Sequence, residues 1–324
     1  MIEDARAVMS VVAEERISIP AAQPIFSRHE TFPVRNGWLK KAFDAFSSEP
    51  GVFSRDDAAI VLGVGKNMAK AIRYWALAFK IGEESFNKTT KSKFIVPTQF
   101  GKNLLGDNGW DPYLEDPASL WLLHWKLLRQ PCLATMWSFA FHNFRHLEFT
   151  QEDLLNELSI HVKLTWPESE FASATLKNDV SCFVRMYSKD AGNKHVSEET
   201  IGSPFTELDL LTRLNGGKHF AFHNGPKANL PNALVAVAAL EYAESVLTSE
   251  RSINISQLVY FPGSPGLAFK LPESSVYAAL DEAAENRKDI SISQTAGMIR
   301  LQFTKEPREI AENILAQYYS TSRR

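Results

Sequence analysis

An acidic pair followed by a segment rich in histidine and lysine is the part of this sequence whose side chains could do chemistry. Glu207 and Asp209 lie in SPFTELDL, and the segments GGKHFAFH and GPK come next. Those segments supply Lys218, His219, His223 and Lys227. Carboxylates can hold a divalent cation beside a phosphate, a histidine can accept a proton, and a lysine can stabilise developing negative charge. The set suits metal-assisted cleavage of a phosphodiester. The alternative interpretation is a capped helix followed by a solvated hairpin.

Sequence motifs that would define other chemistry do not occur. The chain has no GxxxxGK[ST] phosphate loop, no GxGxxG dinucleotide motif and no GxSxG nucleophile elbow, so we expect no nucleotide cofactor. His142 and His146 have the i, i+4 spacing of some zinc sites, but no third ligand is evident, and structural or surface histidines are the default interpretation. Cys132 and Cys182 cannot form a disulfide scaffold and lie in apolar surroundings.

The composition indicates a folded protein in which any nucleic-acid site must be local. The chain has 324 residues, of which 44% are hydrophobic and 23% are charged, enough for two or three compact domains. The formal net charge is −3, so a basic surface must be a patch set against an acidic remainder. The N-terminus MIEDARAVMSVVAEER has no long apolar core, and the sequence contains no uninterrupted apolar run of about 20 residues. We therefore expect a cytoplasmic protein without a membrane partner.

Three predicted helices near the N-terminus form a helix-turn-helix arrangement. The first covers 37–46, and the second begins at a predicted capping box of Ser54 and Asp57. The glycine turn 63–65 separates the second helix from a third at 66–80. Two helices joined by such a turn can place the second of them in the DNA major groove.

The third predicted helix has an apolar face and a basic face. At about 100° per residue, Lys66, Lys70 and Arg73 fall within an arc of about 60°, and we call these three residues the basic ridge. The opposite side carries Met68, Ile72, Trp75 and Phe79. No carboxylate occurs within 66–80, which favours phosphate binding over an ordinary amphipathic helix with solvated lysines. With Asn67, the ridge is the predicted DNA-contacting face.

Predicted DNA contacts extend to both sides of the ridge. Two short predicted strands, IGEESF and KFIVP, follow the third helix, and this order predicts a winged helix. Lysines on or beside the wing would meet phosphates: Lys88, Lys91 and Lys93. The segment FSRHETFPVRNGWLKKAF runs into the first helix, and its basic side chains would follow the adjacent DNA backbone: Arg28, His29, Arg35, Lys40 and Lys41. The alternative is a packed strap whose charges are only solvated.

The whole pattern predicts an α+β fold that is mainly helical. We expect a winged-helix DNA-binding domain at 1–110, a helical middle region at 111–201 with a second helix-turn-helix-like unit, and a C-terminal α+β region at 202–324. Thr150 and Asp153 form a predicted capping box within the middle region. In the C-terminal region SPFTELDLLTRL predicts a short helix, FPGSPGLAFKLPESS is rich in turns, and GGKHFAFHNGPK and ISISQTAGMIRLQF predict small hairpins.

Six segments, taken in order, carry a resemblance to a known family. They are FSRHETFPVRNGWLKKAFDAF, FSRDDAAIVLGVGKNMAKAIRYWALAF, SPFTELDLL, NGPKANLPNALVAVAAL, FPGSPGLAFKL and QTAGMIRLQF. The sequence resembles a bacterial family of formerly unknown function whose genes lie beside those for DNA phosphorothioation. The best-known member of that family is the B protein of Ssp-type systems, a DNA nickase. The resemblance covers the chain from about Phe26 to about Tyr319, and it implies a role in DNA sulfur modification and anti-phage defence.

The resemblance also implies partners and leaves two functions open. The partners would be double-stranded DNA, a cysteine desulfurase, an ATPase and a sulfur-inserting protein. The first function is a DNA nickase that uses Mg²⁺ or Mn²⁺, with Glu207, Asp209, Lys218 and His219 as its catalytic groups. The second is a non-enzymatic DNA-binding subunit that recruits the sulfur-transfer proteins; the lack of a nuclease signature favours this alternative.

Overall fold

Three helices and a hairpin form the first part of the fold in the computed structural model, which describes residues 23–88, 91–189, 202–285, 287–295 and 297–322. The elements are α1 (Trp38–Ser48), a 3-10 helix (Val52–Ser54), α2 (Ala58–Leu62), α3 (Lys66–Ala78), β1 (Gly82–Asn87), β2 (Ser92–Pro97) and α4 (Gln99–Leu105). The strands β1 and β2 pair antiparallel. Gly63 ends α2 at a φ of 64°, a left-handed conformation that glycine adopts without steric cost, so the predicted glycine turn lies where expected.

The start of α2 differs from the predicted capping box. Ser54 belongs to the 3-10 helix, and its hydroxyl donates to the carbonyl oxygen of Lys93 at 2.8 Å. Asp57 precedes α2 but its side chain makes no cap hydrogen bond, because it accepts from Arg55 instead. The predicted capping box of Ser54 and Asp57 is therefore wrong, and Ser54 ties the segment before α2 to strand β2.

The middle of the chain is helical. It contains α5 (Pro117–Leu128), α6 (Thr135–His142), the short strand β3 (Glu148–Phe149), α7 (Gln151–Thr165) and α8 (Ser173–Tyr187). The predicted capping box at the start of α7 is confirmed. Thr150 Oγ1 accepts from the Asp153 N–H at 3.1 Å, and Asp153 Oδ2 accepts from the Thr150 N–H at 2.8 Å.

The C-terminal part combines helices with two small antiparallel sheets. Its elements are a 3-10 helix (Pro204–Leu208), β4 (Leu211–Leu214), β5 (His219–Phe222), α9 (Asn232–Val246), β6 (Ser252–Asn254), α10 (Ile255–Tyr260), α11 (Pro265–Phe269), α12 (Glu273–Glu285), β7 (Ile290–Thr295), β8 (Met298–Phe303) and α13 (Pro307–Ser322). The strand orders are β3-β5-β4 and β6-β8-β7. The hairpin predicted in ISISQTAGMIRLQF is present as β7 and β8, whereas GGKHFAFHNGPK contributes only the strand β5, whose hairpin partner β4 lies outside that segment. The predicted helix SPFTELDLLTRL is wrong in its second half, which is strand β4, and the turn-rich FPGSPG segment leads into the short helix α11.

Helix α5 is anchored by polar contacts at its C-terminal end. Lys80, just after α3, donates from Nζ to the carbonyl oxygens of Lys126 at 2.6 Å and Arg129 at 2.7 Å. Glu241 on α9 accepts from Lys126 Nζ at 2.6 Å and from Trp125 Nε1 at 2.9 Å. Burial would raise the pKa of Glu241, but Lys126 and these hydrogen bonds outweigh burial and lower the pKa. One helix end therefore joins the N-terminal elements to α9.

A continuous cluster of buried apolar side chains runs from Phe26 to Tyr319. It includes large side chains from the first helices, from α5 and α6, and from α9 and α13. The fold is α+β and mainly helical, as predicted, whereas the boundaries at 110 and 201 stay predictions. Within the described ranges, no helix is long and apolar enough to cross a membrane.

The ion pair of Lys126 and Glu241 gives a stability prediction. Lys126→Met should lower the free energy of unfolding by about 2–3 kcal/mol, because it leaves the Glu241 carboxylate buried without its closest cation. This estimate is below the value for a fully buried pair because the two side chains retain 17% and 13% exposure. Urea unfolding measures the loss. The double variant Lys126→Met, Glu241→Gln is the control, and it should recover much of that loss; equal losses in both variants would contradict this explanation.

Candidate nucleic-acid interface and acid–histidine cluster

The basic ridge lies on the exposed side of α3, opposite a buried apolar face. Ile72 and Trp75 have no exposed surface, as predicted for that face. Lys66, Lys70 and Asn67 are exposed. The helical spacing therefore places the apolar side chains of α3 on a buried face and the basic ridge on the opposite face, as the sequence predicts.

Carboxylates from other segments reach the ridge. Lys70 Nζ lies 3.3 Å from Glu30 Oε1, and Arg73 forms an ion pair with Glu84 of β1. The absence of carboxylates within α3 therefore does not leave the whole ridge unpaired. In the described parts of the chain no ion pair involves Lys66, so Lys66 is the ridge cation open to a phosphate without competition.

The segment before α1 is packed more firmly than the interface prediction requires. His29 is fully buried: its ring stacks on Trp75 at 6.1 Å, and Nε2 lies 3.1 Å from Asp179 Oδ1, though not in hydrogen-bond alignment. Asp179 also accepts from the Ser27 N–H at 2.7 Å. The prediction that His29 contacts DNA is therefore wrong, because His29 anchors the segment to the core. Its neighbour Arg28 is exposed.

The next three predicted contacts are engaged within the protein. The guanidinium of Arg35 lies over the Trp38 ring at 5.4 Å. Lys40 Nζ pairs with Asp44 Oδ1 at 2.6 Å, with only 15% of the lysine side chain exposed. Lys41 Nζ donates to a main-chain carbonyl, that of Leu62 at the end of α2, at 2.8 Å. These cations position α1 and α2, and each would have to leave an existing contact to reach a phosphate.

The hairpin β1–β2 presents the remaining predicted cations. Lys88, Lys91 and Lys93 are all exposed. Lys91 has a φ of 51°, in the left-handed region, at the turn end of β2. The ion pair of Arg73 with Glu84 joins α3 to β1, so the ridge and the hairpin lie side by side. The ion pairs of Lys70 with Glu30 and of Arg73 with Glu84 thus join the ridge to the segment that carries Arg28 and to strand β1 of the hairpin.

The candidate catalytic residues divide into two acid–histidine pairs. His223 Nδ1 lies 2.8 Å from Asp209 Oδ2, where the chain leaves β5 and enters β4. His219 Nδ1 lies 3.1 Å from Glu148 Oε1, at the other end of β5. The two histidines are four residues apart along a strand, which separates them by about 13 Å. The structure therefore pairs His219 with Glu148 and pairs Asp209 with His223, and a catalytic site shared by His219 and Asp209 stays a prediction.

Glu207 and Lys218 do not join either pair. Glu207 is exposed on the 3-10 helix, and its carbonyl oxygen accepts from Asn229 Nδ2 at 3.0 Å. Lys218 is exposed in the turn of the β4–β5 hairpin. Sequence reasoning missed Glu148, because its partner His219 is joined to it only by the pairing of β3 with β5.

Lys227 completes the pair of Asp209 and His223. Its Nζ donates to the carbonyl oxygens of His223 at 2.6 Å and Gly225 at 2.9 Å. Burial lowers the pKa of Lys227 to about 8, against the opposing effect of Asp209. We call Asp209, His223 and Lys227 the acid–histidine cluster. It combines a carboxylate, an imidazole and an amine with a depressed pKa, all at the surface end of one hairpin.

The donor set of the cluster suits a metal only in part. Within the described residues there is no group of three or more histidine, cysteine, aspartate or glutamate side chains arranged to hold a metal ion. Asp209 Oδ2 contacts His223, which leaves Oδ1 for another ligand. Mg²⁺ commonly takes one or two protein carboxylates and completes its shell with substrate phosphates and water. The cluster is therefore compatible with a metal brought in together with a phosphate.

The depressed pKa of Lys227 predicts a pH dependence of stability. Between pH about 8 and 10.5 the unfolded chain binds a proton at this lysine that the folded chain does not, so the stability of the wild type should rise with pH relative to Lys227→Met. Thermal unfolding at several pH values measures the difference. Lys218→Met is the control because it removes an exposed amine from the same hairpin, and a flat difference for Lys227→Met would contradict the burial of its amine.

Comparison with known proteins places the chain in a family. The family described as "Protein of unknown function (DUF4007)" matches residues 26–319. A structure described as "SspB crystal structure" is 37% identical, with a TM-score of 0.87, over 93% of this chain and 89% of that chain. A "Magnesium ion-bound SspB crystal structure" is 36% identical, with a TM-score of 0.86 and the same coverage. No curated protein matches at a significant level. The chain belongs to the DUF4007 family and is similar to SspB over nearly its whole length.

Proposed function

We propose that this chain is an SspB-like protein of a DNA phosphorothioation system that binds duplex DNA and nicks it to allow sulfur incorporation. The observation that carries the proposal is the similarity to SspB, at 37% identity over 93% of the chain. The implied partners are DNA and the sulfur-transfer proteins of such a system, in the bacterial cytoplasm. The exposed cations and the acid–histidine cluster supply the two activities.

DNA binding is assigned to the N-terminal elements. The three helices α1–α3 followed by the hairpin β1–β2 have the order of a winged helix, in which α3 would enter the major groove and the hairpin would follow the backbone. Lys66 and Asn67 at the start of α3 are exposed, and the first turn of a recognition helix is where base edges are contacted. The lysines of the hairpin supply phosphate contacts.

The acid–histidine cluster is the proposed nicking site. Asp209, with the exposed Glu207 nearby in sequence, would hold Mg²⁺ or Mn²⁺, which would supply Lewis acidity at the scissile phosphate. The hydrogen bond from His223 Nδ1 to Asp209 leaves Nε2 of the ring as the proton acceptor. Lys227 places positive charge beside the pair. A magnesium-bound SspB structure accords with the choice of metal.

The alternative function is a DNA-binding subunit without catalysis that recruits the sulfur-transfer proteins. One observation favours it: among the described residues no three ligands are gathered for a metal. Under this alternative the acid–histidine cluster would be a surface polar network that fixes the β4–β5 hairpin.

The basic ridge gives the prediction for DNA binding. The triple variant Lys66→Gln, Lys70→Gln, Arg73→Gln should bind duplex DNA more weakly, and the slope of log K against log salt should fall by about 0.9 for each lost phosphate contact. Fluorescence anisotropy over a salt series measures both quantities.

A matched control exists at the other end of the chain. Lys288→Gln, Lys305→Gln, Arg308→Gln removes the same charge, and it likewise breaks two surface ion pairs, with Glu309 and Glu312. The control should bind DNA like the wild type. Equal binding by the wild type and the ridge variant would exclude α3 from the interface.

The acid–histidine cluster gives the prediction for nicking. With Mg²⁺ or Mn²⁺, the wild type should convert supercoiled plasmid to open circles, and Asp209→Asn should slow this by about 100-fold or more because charge stabilisation at the phosphate is lost. Glu148→Gln, from the other acid–histidine pair, is the control and should retain activity. Undiminished nicking by both Asp209→Asn and Glu207→Gln would exclude the acid–histidine cluster as the nicking site. If the wild type bound DNA without nicking it, the alternative function of a non-enzymatic recruiting subunit would be favoured.

A further inference from the structure

A cavity of about 460 Å³ lies beside the acid–histidine cluster and has a cationic lining. It lies between the segment after α6, the end of β5, and helices α10 and α11. Its polar side chains are those of Arg145, His146, Asn224, Tyr260 and Lys270. None of the described residues that line the cavity is a carboxylate. The cavity thus concentrates positive charge without an acidic counterpart.

Lys270 is the most unusual of these residues, because it is buried without an acidic partner. It is 7% exposed; its Nζ donates to the carbonyl oxygen of Phe141 at 3.0 Å and lies 4.2 Å from the centre of the Phe222 ring. Among the described residues no carboxylate pairs with it. A buried ammonium that contacts a carbonyl oxygen and the faces of two phenylalanine rings, without a carboxylate, is costly, and it is stabilised when an anion binds.

The backbone at Lys270 adds a second cost. Lys270 follows α11 with a φ of 55°, in the left-handed region that glycine usually occupies at the end of a helix. A lysine at such a position is strained, and strain of this kind concentrates at functional sites. A lysine at position 270 therefore carries two separate energetic costs: the burial of its ammonium group and the left-handed conformation of its backbone.

Arg145 supplies a second cation that is available to a ligand. It is exposed at the cavity, and in the described parts of the chain it has no hydrogen bond or ion pair. Burial, and after it the cations Arg145 and Lys227, lower the pKa of Lys270 to about 7, so the nearby charges repel one another. A planar guanidinium and a point-like ammonium together are the usual partners of a phosphate group.

The rim of the cavity is apolar on one side. Leu147 and Tyr260 both line it and are 76% and 57% exposed. An exposed tyrosine ring beside a cationic cavity can stack on a nucleobase. The ring of His146 stacks on that of Phe144, with 4.8 Å between the ring centres, and its Nε2 lies 3.6 Å from Glu157 Oε1. These two contacts fix the orientation of the His146 ring at the rim.

We propose that this cavity binds a phosphate group, with Arg145 and Lys270 as its ligands, and that the group is carried on a nucleotide whose base packs on Tyr260. The site is distinct from the interface on α3, and it stands whether or not the chain nicks DNA. Free phosphate and a nucleotide share the phosphate chemistry, and the rim favours the nucleotide.

Binding measurements at constant ionic strength test the proposal with three probes: inorganic phosphate, thymidine 5′-monophosphate and thymidine. We expect the monophosphate to bind and to raise the unfolding temperature, and thymidine to do neither. Arg145→Gln and Lys270→Met should each weaken monophosphate binding by about tenfold or more. Tyr260→Ala should weaken the binding of thymidine 5′-monophosphate and leave the binding of inorganic phosphate unchanged.

The controls separate the site from general charge effects. Arg308→Gln removes an exposed arginine that does not line the cavity, and it should bind like the wild type. Because Arg145 is exposed, Arg145→Gln tests the site even if Lys270→Met disturbs packing. Wild-type affinity in Arg145→Gln, or no binding of either phosphate probe, would overturn the proposal. Equal binding of phosphate and monophosphate, unchanged by Tyr260→Ala, would retain the phosphate site and refute the nucleotide.

Discussion

The polar contacts at the C-terminal end of α5 hold the other parts of the structure together. A helix end leaves carbonyl oxygens without partners, and here Lys80 from the N-terminal elements donates to two of them. Glu241 on α9 binds Lys126 in the last turn of the same helix. The Lys80 amine is withdrawn from water to make this contact, and its burial lowers its pKa to about 8. The helix carrying the basic ridge and the C-terminal region therefore share one rigid support.

This support explains why the candidate sites are built from loops and hairpin ends. Most side chains of α5 and α6 are buried, whereas the candidate residues lie at the ends of β5 and in the segments that follow β5 and α11. The acid–histidine cluster and the cationic cavity lie at the same end of β5, joined by Asn224 and Gly225, which directly follow His223 and line the cavity. Rigid elements thus position side chains that belong to irregular segments, as is common for binding and catalysis.

Local patterns in the sequence predict most of the elements, and distant contacts account for what they miss. Periodicity places α3 correctly and separates Trp75 from Lys66, because it depends on one helix alone. The pairing of Glu30 with Lys70 joins segments forty residues apart, and His29 is buried by Asp179 from α8. Glu148 reaches His219 only through strand pairing. Helical periodicity within one segment cannot reveal these long-range contacts. For the same reason the sequence does not show that the predicted catalytic residues belong to two separate acid–histidine pairs.

The carboxylates that pair with the basic ridge have a consequence for the proposed binding of DNA. Each ion pair with Glu30 or Glu84 must break before its cation can bind a phosphate, and this cost is the same at every DNA sequence. If the chain binds DNA as proposed, this cost lowers its affinity for every sequence by the same factor and shortens its residence wherever it binds. A site that adds base contacts repays the cost and holds the protein longer. Two surface glutamates would thus keep binding to ordinary sequence weak, while the base contacts alone would set the ratio of dwell times between sites.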